Sequence, residues 1–188
     1  KLYASAIESF KGRKNPGAIS PFKNVLGLLH YLRLICTDPR RYGLTAPNPE
    51  PLKQYRAKSP KLDWLLKQLK DIQKKDEKVI IFCEFRNIQR LLKHYIEEQF
   101  NISPAIINGA TSATAGHADS RQRQIKKFQE APGFGAIILS PVAVGFGVNI
   151  QAANHVIHYT RTWNPAKEDQ ATDRAYRIGQ KKDVYVYY

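Results

Sequence analysis

Val79-Ile80-Ile81-Phe82-Cys83 is an unbroken apolar run, bounded by Glu77-Lys78 and Glu84. A run of that length, without polar alternation, predicts a strand buried on both faces. Working outward from it, helix-like and strand-like segments alternate. Ile88, Leu91, Leu92, Tyr95 and Ile96 recur at helical spacing, Ala105-Ile106-Ile107 reads as a strand, and a helix carrying Ile125 and Phe128 follows. Ala136-Ile137-Ile138-Leu139, His155-Val156-Ile157-His158-Tyr159 and Val184 to Tyr187 complete five expected strands, and the pattern has room for a sixth. Short buried strands joined by helices predict a parallel sheet of the α/β class.

Upstream, Ser59-Pro60 predicts a helix start, with Ser as cap and Pro at the first position. Leu62, Leu65, Leu66, Leu69 and Ile72 then mark one core-facing stripe. Residues 39–58 hold four prolines together with Arg40-Arg41, Lys53, Arg56 and Lys58, a composition expected of a linker or extended crossing segment. The expected organisation is therefore a basic helical extension and linker over 1–58 and an α/β domain over 59–188. Within the extension, residues 1–22 read as a short helix and a loop. Leu26, Leu29, Leu32 and Ile35-Cys36 suggest a helical stripe that Pro39 stops.

Bulk properties narrow the function. The chain has 188 residues, 43% of them apolar, which is ordinary for a globular protein. No run reaches the roughly 18–20 apolar residues of a membrane span, and no signal peptide opens the chain. There is no methionine, so the sequence reads as a fragment of a longer chain, one that stops on the strand-like Val184 to Tyr188. Cys36 and Cys83 lie far apart in apolar runs and are expected to be buried, reduced thiols, consistent with a cytoplasmic or nuclear compartment. Neither they nor the five histidines have metal-ligand spacing, so no metal site is expected. His155 and His158, alternating with apolar residues, read as structural. The net charge of +14 is concentrated at the front: residues 1–75 hold 16 Lys+Arg against 5 Asp+Glu. Such a segment suits a phosphate backbone, and a solvated basic linker would have the same composition.

In open parallel sheets, ligands sit at the carboxyl ends of the strands. After the second strand comes Asn108-Gly109-Ala110-Thr111, where Gly109 permits close backbone approach and Thr111 offers a hydroxyl. After the third comes Ser140-Pro141-Val142-Ala143-Val144-Gly145-Phe146-Gly147-Val148-Asn149, a turn able to present backbone N–H groups to an anion. After the fourth comes Thr160-Arg161-Thr162-Trp163-Asn164-Pro165, then Gln170-Ala171-Thr172-Asp173-Arg174-Ala175-Tyr176-Arg177-Ile178-Gly179-Gln180. Pro165 suits a first helical turn. If 165–178 is helical, Gln170, Arg174 and Arg177 share one face, and two guanidiniums on one stripe suit a polyanion. A surface helix with a salt-bridging face is the alternative for an isolated R-x-x-R.

Trp-Asn-Pro, Asp-Gln-Ala and Asp-Arg-Ala-x-Arg-Ile-Gly-Gln together resemble the last helicase motif of the Swi/Snf-like ATPases, double-stranded-DNA translocases of helicase superfamily two. Leu-Arg-x-Ile-Cys before Pro39 and Ser59-Pro60-Lys61-Leu62 are also similar to that family. Arg33, in the first of these phrases, is then a candidate lobe-bridging or DNA-side residue, or a plain surface arginine. The resemblance implies the second RecA-like lobe of such a motor, with ATP bound against a first lobe of the same chain. It implies Arg174 and Arg177 as arginine fingers and Gln170 as a residue orienting them or the nucleotide. Ser140 would then face a DNA phosphate. Gly145, Gly147 and Asn149 would belong to the loop coupling DNA to ATP, although Val144 replaces a usual glycine. Gly109 and Thr111 would touch one DNA strand, and Trp163 would lie against DNA unless it is a core indole. Thr160-Arg161-Thr162 lacks the family's usual aspartates, and Arg161 is the candidate for an extra phosphate contact instead. Glu84 stands where the family often has Gln and receives no nucleotide role.

The chain has no G-x-x-x-x-G-K-[ST] phosphate loop and no acidic Mg²⁺-binding box. ATP with Mg²⁺ is therefore expected to need groups from the first lobe, and this chain alone is not expected to hydrolyse ATP. An RNA or single-strand helicase lobe, or a non-catalytic nucleic-acid-binding scaffold, are the alternatives. The departures at Val144 and at Thr160 to Thr162 favour a prokaryotic source. The expected location is then cytoplasmic and nucleoid-associated, or nuclear in a eukaryote.

Overall fold

The computed structural model describes residues 2–12, 24–39, 50–111, 120–141, 150–162, 164–173 and 182–188. They fall into two compact units, Lys1–Asp63 and Trp64–Tyr188.

The first unit is helical. Helices α1 (Leu2–Gly12) and α2 (Val25–Thr37) share a small apolar cluster of Ala6, Leu28 and Leu32, flanked by Ile7, Phe10 and Tyr31. Asn24 caps α2, its side-chain oxygen accepting from Gly27 N at 2.8 Å. The helix ends where Asp38 N donates to Leu34 O, one residue before Pro39. The buried stripe of α2 is Leu28, Leu32 and Ile35, whereas Leu26 is 75% exposed. The expected stripe through Leu26 and Leu29 is thus rotated, because α1 covers the Leu28 side. Cys36, next to the stripe rather than on it, is exposed, so the expectation of two buried thiols holds for Cys83 alone. The expected linker also contains a helix, α3 (Leu52–Lys58). Its Tyr55 is 3% exposed and donates its hydroxyl to the buried carboxylate of Asp38, which ties α3 to the end of α2. The Arg56 guanidinium bonds Asp63 at 2.6 Å.

Helix α4 (Pro60–Lys74) starts at the expected proline, and Leu62, Leu65, Leu66, Leu69 and Ile72 are at most 2% exposed. Ser59 occupies the cap position through its carbonyl, which accepts from Asp63 N at 3.0 Å. Its buried hydroxyl has no hydrogen-bond partner among the described residues.

The second unit is built on a parallel five-stranded sheet in the order β2-β3-β1-β4-β5. The strands are β1 (Lys78–Phe82), β2 (Ala105–Ile107), β3 (Gly135–Leu139), β4 (His155–His158) and β5 (Tyr185–Tyr187). The first run read in the sequence becomes the central strand: Val79, Ile80, Ile81 and Phe82 are all fully buried. Each such side chain contributes about 1.5–3 kcal/mol relative to leaving it in water. Ile80, Phe82, Ile137, Leu139 and Val156 meet Ile125 and Phe128 of α6 (Arg121–Glu130) in one core cluster. Val79, Ile81, Ala136 and Ile138 alternate to the other face and are buried as well, so the sheet is covered on both sides. Helix α5 (Arg86–Phe100) buries Ile88, Leu91, Leu92, Tyr95 and Ile96, the stripe expected of it.

At the amino edge, His155 holds Glu77 at 2.6 Å and Tyr187 Oη at 3.3 Å, and it stacks on Tyr185. Lys182 reaches the other Glu77 oxygen at 3.4 Å. Burial opposes ionisation of the Glu77 carboxyl. Hydrogen bonds from His155, Asn154 and Lys182, with the His155 charge, outweigh that and hold it below the usual range.

Candidate functional site

The strand that follows β1 in the chain, β2, lies on one side of it beyond β3, whereas the strand that follows its other neighbour β4 lies on the opposite side, as β5. That reversal makes the carboxyl ends around β1 the place where loops diverge and a crevice can form. The carboxyl ends are drawn together by backbone bonds beyond the strands. Cys83 N donates to Leu139 O at 2.9 Å, Ser140 N to Ile107 O at 2.8 Å and Thr160 N to Phe82 O at 3.3 Å. Glu84 N donates to Thr160 Oγ1 at 2.9 Å. Ser140 is 8% exposed, at the first position beyond β3.

The loop after β2 is a pre-ordered turn. Asn108 N donates to Thr111 Oγ1 at 3.1 Å, Thr111 Oγ1 donates to Ile106 O at 3.3 Å, and Ala110 N donates to Asn108 Oδ1 at 2.9 Å. The Thr111 hydroxyl is therefore turned into its own loop, while Gly109 is exposed at the tip. A Cβ at Gly109 would lie 3.5 Å from an Arg86 guanidinium nitrogen, an ordinary contact, so local crowding does not require glycine at this position. Behind the turn lies a polar link that sequence reasoning missed. Gln89 is fully buried within α5, donating to Cys83 O at 2.6 Å and accepting from Asn108 Nδ2 at 2.8 Å. The available signal was an amide one position from Ile88 in an otherwise apolar stripe.

The loop after β4 leads into α7 (Pro165–Thr172). Asn164 caps it, accepting from Ala166 N at 3.0 Å, and Pro165 takes the first helical position as expected. Gln170 is exposed. Two residues earlier, the Glu168 side chain is only 3% exposed. Its carboxylate accepts from Arg161 Nε at 3.0 Å to each oxygen, from Arg161 Nη2 at 2.8 Å and from Thr162 N at 2.6 Å. Burial raises the Glu168 carboxyl, but the Arg161 hydrogen bonds, the Thr162 N–H and the charges of Arg161 and His158 overcome that and keep it ionised below its usual range. The same hydrogen bonds raise Arg161.

A stacked column backs this clamp. Arg161 lies over the Tyr188 ring at 4.7 Å, Tyr188 stacks on His158 at 5.1 Å, and His158 stacks on Phe82 at 5.1 Å. His158 Nε2 also meets Thr172 Oγ1 at 2.9 Å.

The structure thus brings Gly109, Thr111, Ser140, Arg161 and Gln170 to the carboxyl side of the sheet, on the loops and helix that follow its strands. Arg174, Arg177, Gly145, Gly147, Asn149 and Trp163 lie outside the described residues. Among the described residues, no cluster of three or more His, Cys, Asp or Glu could hold a metal ion. No described helix is long and apolar enough to cross a membrane.

The profile of the helicase conserved C-terminal domain matches residues 60–179. The Zorya protein ZorD of Escherichia coli O139:H28 is 55% identical over the whole of this chain, which covers 17% of ZorD. The putative ATP-dependent helicase/translocase YwqA of Bacillus subtilis is 37% identical over 87% of this chain, again 17% of the relative. The chain therefore spans about a sixth of the length of these curated relatives. The solved Sulfolobus solfataricus SWI2/SNF2 ATPase core superposes over 99% of this chain and 35% of its own, with TM-score 0.74 and 30% identity. The same core in complex with dsDNA gives TM-score 0.72 at 29% identity, over 98% of this chain and 36% of its own.

Proposed function

The chain belongs to the helicase conserved C-terminal domain family, in its Swi2/Snf2-type branch, and from that premise we propose that it is the second motor lobe of an ATP-dependent double-stranded-DNA translocase. Its five-stranded parallel sheet with flanking helices is the RecA-like fold of that branch. The observation carrying the proposal is the placement of α7: a capped helix, anchored at the carboxyl edge of the sheet, whose sequence runs directly into Asp173-Arg174-Ala175-Tyr176-Arg177.

In the proposed reading, residues 59–188 form the lobe and residues 1–58 a basic extension. ATP with Mg²⁺ sits between this lobe and a first RecA-like lobe of the same longer chain, which supplies the phosphate loop and the Mg²⁺ ligands. Arg174 and Arg177 approach the outer phosphates, where guanidiniums stabilise charge spreading over the transferred group. Gln170 on the exposed face of α7 orients them or the nucleotide, and Gly145, Gly147 and Asn149 couple the nucleotide to DNA. Gly109, Thr111, Ser140 and Trp163 form the duplex-facing surface. The dsDNA-bound Sulfolobus core supports duplex DNA as the partner. The bacterial source of both relatives goes with the prokaryotic reading, in which the parent acts on the nucleoid in the cytoplasm.

The test is ATP hydrolysis by the intact parent with and without duplex DNA, comparing wild type with Arg177→Ala. Strong DNA stimulation that falls by about 10³–10⁵ in the variant is expected. Activity indifferent to both DNA and the substitution would overturn the reading. Stimulation by single strands or RNA with strand displacement would assign a helicase instead, and absent hydrolysis would assign a binding scaffold.

A further inference from the structure

Of the described side chains of α7, Glu168 is buried, Thr172 is half-buried, and Pro165, Ala166, Asp169 and Gln170 are exposed. Helices of globular domains are ordinarily held by an apolar face. Among these described side chains a buried carboxylate takes that place. Glu168 and Thr172 stand four residues apart on one face, and both are bonded: Glu168 to Arg161 and Thr162, Thr172 to His158. Gln170, some 200° around the helix from Glu168, is on the opposite, exposed side, and the sequence sets Arg174 four residues beyond it.

Arg161 is engaged in its plane and on its face. Its Nε and one Nη are directed at Glu168, and its π surface lies against Tyr188. A guanidinium bound bidentately to a buried carboxylate has its planar fork already filled, the fork that a phosphate would use. A sequence reading that gives Arg161 to DNA meets a side chain already aimed at the helix.

We propose that Arg161 and Glu168 are positioning residues: an ionic clamp that fixes the rotation and height of α7, and so sets where the arginine pair following it is delivered to the nucleotide. The inference rests on the motor-lobe reading above. Two anchors on one face oppose rolling of the helix, and a displacement of about 1 Å at a reacting group can cost about 100-fold in rate. Arg161, 58% exposed, can be changed without opening the core, whereas Glu168 is the buried member.

The experiment uses the intact parent with saturating ATP and Mg²⁺, wild type against Arg161→Gln, Glu168→Gln, the double variant, Arg161→Lys and Arg177→Ala. It reads kcat, KM for ATP, and duplex-DNA Kd as a function of salt. Arg161→Gln should lower kcat by about 10–100-fold with KM and the salt dependence of DNA binding little changed. The double variant should be no worse than the poorer single one, the mark of two residues acting through one contact. Arg161→Lys should recover part of kcat. Weaker DNA binding by Arg161→Gln, with the salt slope reduced by about one and kcat at saturating DNA intact, would make Arg161 a phosphate contact and overturn the clamp. Unchanged kcat in Arg161→Gln while Arg177→Ala collapses would overturn the clamp alone. Unchanged kcat in Arg177→Ala would overturn the motor-lobe reading, and the clamp with it. Loss of the folded state in Glu168→Gln leaves the decision to Arg161→Gln and Arg161→Lys.

Discussion

Asn108 Nδ2 donates to the side-chain oxygen of Gln89 at 2.8 Å, and the other end of that buried amide donates to Cys83 O at 2.6 Å. One side chain thereby joins the ends of β1 and β2, the strands that flank β3. Both polar ends of Gln89 are satisfied inside the protein, where an unmade hydrogen bond would cost more than a made one contributes.

Replacing Gln89 by Leu keeps the approximate volume and removes both bonds. The expected loss is about 1–3 kcal/mol of unfolding free energy. It should appear as a lower urea midpoint at unchanged slope. Unchanged stability would mean that the turn after β2 holds itself through Thr111 and Asn108 without help from α5.

Gly133, just before β3, has φ +74°, and a Cβ there would lie 2.8 Å from Asp76 Oδ1. That oxygen accepts from Phe134 N at 2.9 Å, linking the turns that lead into the paired strands β1 and β3. Gly133→Ala should lose about 1–3 kcal/mol, from backbone strain and the displaced carboxylate together. Gly12→Ala is the control, since its Cβ meets nothing within 4 Å and no left-handed backbone is involved. Equal effects at the two positions would refute the account.

What the sequence disclosed depended on how far apart the interacting residues lie. Val79 to Cys83, the α5 stripe and Pro165 were legible, because each is a local signal: an apolar run, a period, a missing N–H. The α2 stripe was misplaced through Leu26 because a helix with apolar residues around much of its circumference has no preferred face until its partner, α1, is known. The anchor of α3 at Tyr55 and Asp38 joins residues 17 positions apart, with no local signature. The same holds at the site. Arg161 could be recognised as a cation beside a helix, but its pairing with Glu168 needs the geometry of the turn between them.

The misreading of Cys36 gives a direct check. Cys36 is exposed and Cys83 is buried at the end of β1. A thiol reagent added to the native 188-residue chain should modify one cysteine promptly, and mass spectrometry should place the label on Cys36. Cys83 should react only as fast as the sheet opens, and promptly in denaturant. Equal native reactivity of the two would contradict the packing at the carboxyl end of β1.

His158 makes stability depend on pH, with a definite sign. Burial lowers its pKa most; Glu168 pulls it up, Arg161 pushes it down, Asp169 pulls it up, and the balance is below the usual value. The unfolded chain binds the proton near pH 6.5, whereas the folded ring, stacked between Phe82 and Tyr188, stays neutral to lower pH. Between those two values the unfolded state holds more protons. Stability is therefore complete above about pH 6.5 and declines as pH falls through the window beneath it. Glu77 and Glu168, both held below the usual carboxylate range, add their own losses only in more acid solution, as pH falls beneath the usual glutamate value. His158→Gln removes the titrating group. Unfolding free energies measured from pH 5 to pH 7.5 should slope less in His158→Gln than in wild type, the two curves converging toward the acid end of the range. Parallel curves would show that the proton is taken up elsewhere, and that the ring under α7 is not the group that senses it.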